Sequence, residues 1–204
     1  MVLVLITNCG TFSLYDSAFN SIKNTVRGNK IIINETIKSI PYSMLLIDYL
    51  NSETIMILSE VNNGDEKWLD ADGNGFYLNQ GIILKTFGFK NNVEFVNPPK
   101  LKEILIGLKN AKSINLTSYV KLSNPPTNYL EFSRSFNIKE NGTTVHPLSM
   151  RKIKHILIEE QFIVKSIGWK GKNYYWINEE DGLIRAKINI FPNQKIHIKK
   201  LKGY

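Results

Sequence analysis

The chain predicts a mainly β protein of antiparallel curved sheets, a sandwich or a pair of half-barrels, with one N-terminal helix and one short central helix. Three observations carry this. Apolar residues alternate with polar ones over most of the 204 residues, turn-forming clusters punctuate the alternating runs, and neighbouring runs are joined by links that suit hairpins rather than helical crossovers. No repeat of fixed period is present.

Helical spacing comes first. Leu14, Ala18, Ile22 and Val26 fall on one helical face with Phe19 beside them, and Ser13 is placed to open the helix. The period then changes to two. Residues 30–37, 43–50 and 54–61 read as strands rich in Ile, Leu, Tyr and Thr, separated by Ile40-Pro41 and Asn51-Ser52-Glu53. Residues 75–79 and 82–89 form a hairpin around Asn79-Gln80-Gly81. Asn97-Pro98-Pro99 then ends a strand and opens a helix whose Leu101, Ile104, Leu105 and Leu108 share one face.

Residues 110–113 break that helix, and Asn124-Pro125-Pro126 is a second break. The expectation is one β-rich domain over residues 10–204, composed of two sub-sheets with a seam near 97–128. Strand 129–139 follows, then a turn at Glu140-Asn141-Gly142 and a long alternating run at 152–169. Lys170-Gly171, residues 179–182 and Pro192-Asn193 read as turns separating the final strands 174–178, 183–191 and 195–201.

At 43% hydrophobic content the chain can bury a sizeable core. No apolar run approaches the roughly 18 residues of a spanning helix. A net charge of +8 permits an anionic partner, and acidic polysaccharide is the candidate. The lysines are spread along the strands, so most of the charge reads as solvated surface. Nucleic acid is not an expected partner.

Cys9 is the single cysteine, which excludes an internal disulfide and a Cys-based zinc site. It closes the apolar run Met1-Val-Leu-Val-Leu-Ile-Thr-Asn-Cys9, ahead of a polar segment. Two readings fit: residues 1–9 are a residual lipoprotein signal segment ending at a lipidated Cys9, or they form an N-terminal strand with a buried thiol. A secretory leader has a basic start and an apolar core of roughly 7–15 residues, whereas this run is shorter and has no basic residue. Asn8 also replaces the usual small residue before the cysteine.

Other constellations are weighed against blander readings. Asp70-Ala-Asp72-Gly73-Asn74-Gly75 begins like a calcium loop, but Gly81 stands where a bidentate Glu belongs, so it reads as a polar turn and no metal site is expected. Glu159-Glu160 and Glu179-Glu180-Asp181 supply carboxylates, yet adjacent strand residues point to opposite faces and do not converge on one bond. His146, His155 and His197 are isolated. No nucleophile elbow, phosphate loop or dinucleotide fingerprint is present, so neither enzymatic activity nor a cofactor is expected.

The aromatic residues are more informative. Trp68, Tyr77, Trp169, Tyr174 and Trp176, with Arg185, are the candidate contacts for a glycan or a protein partner, because aromatic faces beside strand turns can stack on sugar rings. Alternation places Tyr174 and Trp176 on one face and Tyr175 on the other. Core packing is the competing explanation for each of them.

The stretch Ile40-Pro41-Tyr42-Ser43, then Glu66-Lys67-Trp68-Leu69, Asn79-Gln80-Gly81 and Leu84-Lys85-Thr86 resembles the first half of the YjbF/GfcB family of group 4 capsule and exopolysaccharide lipoproteins. Asn173-Tyr174-Tyr175-Trp176-Ile177, Glu179-Glu180-Asp181-Gly182, Leu183-Ile184-Arg185 and Ile198-Lys199-Lys200-Leu201-Lys202 resemble that family's terminal hairpin and exit strand. The resemblance runs over roughly residues 14–204 and contains no catalytic signature. It implies curved antiparallel sheets, a lipidated cysteine just before the first helix, which is the place of Cys9, and work alongside other exopolysaccharide secretion proteins. Gly10 after the cysteine is not an acidic retention signal, so the implied location is the outer membrane, with the chain lipid-anchored and facing the periplasm.

The expected function is therefore that of a non-enzymatic outer-membrane lipoprotein assisting capsule or extracellular polysaccharide assembly or export by binding glycan or a secretion partner. A periplasmic lipid or lipoprotein carrier is the alternative, and it requires an apolar cavity with few charged residues. A glycan-processing enzyme is the third class, requiring two carboxylates roughly 5–9.5 Å apart in a cleft.

Overall fold

The computed structural model describes residues 10–33 and 35–203, and the side chains from residue 16 onward. Cys9 and the segment before it lie outside the described residues. The elements in chain order are α1 (Gly10–Lys23), β1 (Val26–Arg27), β2 (Lys30–Ile31), α2 (Glu35–Ser39), β3 (Met44–Tyr49), β4 (Ser52–Asn62) and β5 (Asp65–Leu69). They continue with β6 (Gly75–Asn79), β7 (Ile82–Phe87), β8 (Val93–Val96), α3 (Leu101–Asn110), β9 (Ser113–Leu122) and β10 (Leu130–Val145). β11 (Lys152–Val164), a 3-10 turn (Lys165–Ile167), β12 (Trp169–Asn178), β13 (Gly182–Phe191) and β14 (Gln194–Lys202) complete the chain.

The antiparallel β class holds, but the sheets are not open half-barrels. Strands β3 to β14 form one closed barrel of twelve strands. Each pairs with its successor in sequence, and β14 returns to pair with β3, Ile198 opposite Ile47. Closure satisfies the hydrogen-bonding edges that an open sheet would leave exposed.

Short turns make the meander possible. Leu50-Asn51, Asn63-Gly64 and Gln80-Gly81 are two-residue connections in which both residues have positive φ. That geometry matches the strand twist of a type I′ hairpin. Gly81 is held there by more than its φ of +93°, since a Cβ would lie 2.7 Å from Leu183.

Alternation sorts the barrel wall. On β9, Ile114, Leu116, Ser118, Val120 and Leu122 face inward, while Ser113, Asn115, Thr117, Tyr119 and Lys121 face out. An apolar interior and polar exterior reverse the pattern of a membrane-spanning barrel, whose outer band is apolar. A barrel of this strand number is wide, and aromatic residues fill it. Phe132 stacks on Phe162 at 4.8 Å and meets Trp169 edge-on at 5.5 Å. Helix α3 contributes Leu101, Ile104 and Leu108 to the same core.

A second apolar layer lies outside the wall. Ala18 and Ile22 of α1, Ile31 of β2, and Ile37 and Ile40 cover Met44, Leu46, Ile55 and Ile57 on the outer face of β3 and β4. That explains why β3 begins with four buried residues in a row, buried on both faces.

Four local expectations are corrected. Residues 30–37 are not one strand: β2 is short and α2 follows, placing Ile37 completely inside the outer apolar layer. Helix α2 therefore adds a third helix to the two expected. Glu140-Asn141-Gly142 is not a turn but part of β10, which passes it with a register shift between Ile138 and Glu140. Gly142 leaves room there for the His155 ring, whose Nε2 would lie 2.9 Å from an added Cβ. Lys170-Gly171 likewise lies inside β12, where the missing Cβ admits the Phe162 ring. The chain reverses earlier, through the 3-10 turn closed by Gly168 at φ 65°.

Candidate functional site

Strand alternation separates the aromatic residues into two populations. Trp68 and Trp169 are 2% and 5% exposed and belong to the core. The Trp68 indole Nε1 donates to Glu66 Oε2 at 2.9 Å. Core packing removes both residues from any surface platform. Tyr77 is half-buried on β6, between Lys67 and Lys85 of the neighbouring strands, and its ring lies 5.6 Å from Phe87. Tyr174 and Trp176 share the outer face of β12, with ring centroids 6.3 Å apart.

Arg185 of β13 stands directly across from Trp176, and its guanidinium lies 4.9 Å from the indole centroid. Trp176 and Arg185 are both half-buried, and a cation held over an indole contributes about 0.5–1 kcal/mol at an exposed site and more as it is desolvated. Register carries the positive surface onward. Lys187 lies opposite Tyr174 and His197, Lys199 lies opposite Arg185, and Asp48 is the acidic neighbour of His197. Partial burial and then the charge of Lys187 hold the His197 pKa below its ordinary value; Asp48 opposes this, while Arg185 and Lys199 reinforce it. The structure thus brings Tyr174, Trp176 and Arg185 together, with Tyr77 on a different part of the wall.

Lys187, His197 and Lys199 were not among the candidates. The signal that could have found them is the register of the last three strands, which places them on the face of Trp176.

Glu159 and Glu160 point to opposite sides of β11, as alternation requires. Outside, burial raises the Glu159 pKa, but hydrogen bonds from Gln161 and Lys172 and the charges of Lys139 and Lys172 outweigh it, leaving the carboxyl below its usual range. Inside, Glu160 Oε1 lies 2.8 Å from Arg134 Nε. Its Oε2 accepts from Tyr175 Oη at 2.7 Å and from Asn173 Nδ2 at 2.9 Å. The Arg134 guanidinium lies 4.7 Å from the centre of Phe132 and 5.0 Å from that of Phe95. Burial, followed by the Glu160 charge, pushes the Tyr175 pKa well up. With Arg134 4%, Glu160 0% and Tyr175 2% exposed, this network is part of the core.

The remaining chemical candidates resolve locally. Asp70 Oδ1 accepts from the backbone N–H groups of Asp72 and Asn74, so the calcium-like stretch folds as an Asx turn around its own carboxylate. His146 Nδ1 accepts from the N–H groups of Leu148 and Ser149 in a loop, and His155 is buried against Gly142. At the barrel mouth, beside α3 and the β12–β13 turn, is a cavity of about 610 Å³ with both apolar and charged walls.

The family model described as "Group 4 capsule polysaccharide lipoprotein gfcB, YjbF" matches residues 21–200. The chain belongs to the YjbF/GfcB family. The family is one of capsule-associated lipoproteins by that description, and the match spans the barrel almost to its last residue. The chain is also similar to the crystal structure of the hypothetical lipoprotein YmcC from Escherichia coli (K12), with a TM-score of 0.76 and 14% identity. That likeness covers 100% of this chain and 99% of the other, and at this identity it speaks for the fold alone. No curated protein matches.

Proposed function

We propose that this member of the YjbF/GfcB family is an outer-membrane lipoprotein, anchored through a lipidated Cys9 and facing the periplasm. It assists capsule or extracellular polysaccharide assembly or export by binding an acidic glycan alongside secretion partners, without catalysis. The observation that carries the binding reading is the Trp176–Arg185 stack with Tyr174 beside it, ringed by Lys187, His197 and Lys199. Aromatic faces receive sugar rings, and the cations neutralise carboxylate or phosphate substituents. The carrier alternative lacks its required signature, because Glu66, Lys102, Lys109, Glu179 and Glu180 all line the mouth cavity.

The purified protein is expected to retain an acidic polysaccharide and not neutral dextran. Trp176→Ala with Arg185→Ala weakens retention tenfold or more, about 1.4 kcal/mol or above. The sign of the pH effect follows from His197. Its depressed pKa keeps it neutral in the free protein until the pH falls below its ordinary value of about 6.5, so binding tightens below that pH as the imidazole gains charge. Added salt weakens it. Wild-type retention by the double variant would overturn this reading, as would unchanged surface and periplasmic polysaccharide in cells lacking the gene. Labelled palmitate is separately expected in the wild type and not in Cys9→Ser; equal labelling refutes anchoring at that residue.

A further inference from the structure

Strand β10 outruns one of its neighbours. β9 accompanies it only as far as Ser113 opposite Asn137, while β11 continues beside it to Lys152 opposite Val145. Residues 138–145 therefore pair on one side and, among the described residues, not on the other. The arm that β10 and β11 form is fixed at its far end. Leu148 packs against the outer apolar layer, Ile153 is buried, and Arg151 pairs with Asp181 at 3.1 Å. An edge held in this way is ordered before anything binds, which lowers the entropic cost of association.

The ladder shows which backbone groups are open. The His146 N–H donates to the Arg151 carbonyl at 2.8 Å, continuing the register that sets Val145 opposite Lys152. Hydrogen-bonded pairs alternate along an antiparallel ladder, so Gly142 and Thr144 turn their backbone groups toward β11, and Asn141, Thr143 and Val145 turn theirs outward. All three outward residues are exposed. Among the described residues no hydrogen bond takes up their outward N–H and C=O groups. Such a row is a template for one more strand.

Side chains beside the edge select what that strand carries. Thr143 lies directly opposite Lys154 and Val145 directly opposite Lys152, so both lysines share one face with them. Both lysines are exposed, and neither ammonium has an ion-pair partner among the described residues. They line a groove of about 780 Å³ together with Asn141 and Thr143, and Glu179 and Glu180, which also line it, stay beyond ion-pair distance of either. Thr143 and Val145 are short, so acidic side chains on an adjacent strand reach over them to the ammonium groups. A second copy of this chain fits poorly. Pairing outward residues with outward residues places Lys152 and Lys154 of both copies on one face, where like charges oppose association.

We propose that the open edge of β10 at Asn141, Thr143 and Val145 takes an extended segment of a partner protein as an added strand, with acidic side chains at alternate positions facing Lys152 and Lys154. This rests on the secretion-partner half of the proposed function and not on glycan binding.

The probe is a short capped peptide alternating glutamate with valine. Its lysine–valine counterpart and an acidic peptide N-methylated on its pairing edge are the controls. Fluorescence anisotropy with the full chain is expected to show the acidic peptide binding at least tenfold more tightly than either control, and amide exchange slows at Asn141, Thr143 and Val145 when it binds. Thr143→Pro removes an outward donor at a position where an edge strand tolerates proline, and lowers affinity tenfold or more. The exposed pair Lys152→Glu with Lys154→Glu keeps the backbone edge and reverses the preference toward the lysine peptide. Sedimentation shows the free chain as a monomer. Absence of acidic-peptide binding, equal binding of the acidic and basic peptides, binding that leaves those three amides unprotected, a preference untouched by the lysine reversals, or self-association that Thr143→Pro abolishes would each overturn the proposal. Acidic polysaccharide retention by Thr143→Pro stays at the wild-type level, which separates failure here from failure of the glycan reading.

Discussion

Glu160→Ala is expected to destabilise the protein by about 3–5 kcal/mol, the cost of stranding one member of a buried ion pair. Glu160 has no solvent exposure and Arg134 has 4%, so the guanidinium cannot recover the lost partner by turning to water. The same substitution orphans the Tyr175 hydroxyl and the Asn173 amide, both of which donate to Oε2. Each unsatisfied buried group costs roughly 1–3 kcal/mol on its own, though the members of one network do not add independently. For a chain of this length the loss corresponds to a fall in melting temperature on the order of 10 °C. Urea unfolding of Glu160→Ala, Arg134→Met and the pair Arg134→Met/Glu160→Leu checks it. The single variants should lose most, and the apolar pair should recover much of the difference because no charge remains buried. A single-variant loss below about 1 kcal/mol would show that the pair contributes little beyond its packing.

Phe132→Ala is expected to cost about 3–5 kcal/mol, the usual range for removing a buried phenyl ring. The ring is fully buried and joins three other aromatic side chains: Phe162 stacked at 4.8 Å, Phe95 edge-on at 5.2 Å and Trp169 at 5.5 Å. Rings on four strands meet there, so their collapse into the vacated space is restrained by the barrel wall. Phe132→Leu, which keeps most of the volume, should lose far less. Because Arg134 lies over this ring, Phe132→Ala and Glu160→Ala should couple, and their combined loss should differ measurably from the sum of the two. Strict additivity would show that the aromatic cluster and the polar network are energetically separate.

Both sites rest on pairings that alternation only half reveals. The period of two states that Tyr174 and Trp176 share a face and that Glu159 opposes Glu160, and the structure follows both. It does not state which face is inside. Trp68 and Trp169 looked equally available at the ends of strands, and register turned both into the core, where indole area is worth most. Gly142 and Gly171 read as turn residues because glycine favours turns. In the barrel they serve as gaps for His155 and Phe162, a role visible only once the cross-strand partner is known. Residues 30–37 show the same limit, since isoleucines at 31, 33 and 37 suit a strand or a short helix, and burial of Ile37 beneath the outer layer decided for helix.

By itself the sequence determined the antiparallel β class, the two longer helices and most hairpin turns. Side-chain spacing, proline and the turn residues act over a few neighbours, and those neighbours are adjacent in the chain. Only the tertiary structure decided that the sheet closes through β14 against β3, that Arg134, Glu160 and Tyr175 meet inside, that Arg185 lies over Trp176 among lysines, and that α3 leaves a charged-rimmed cavity at the mouth. Those features depend on which strands pair and on where twelve strands bring the wall back to itself. They are properties of closure, which alternation along a strand does not encode.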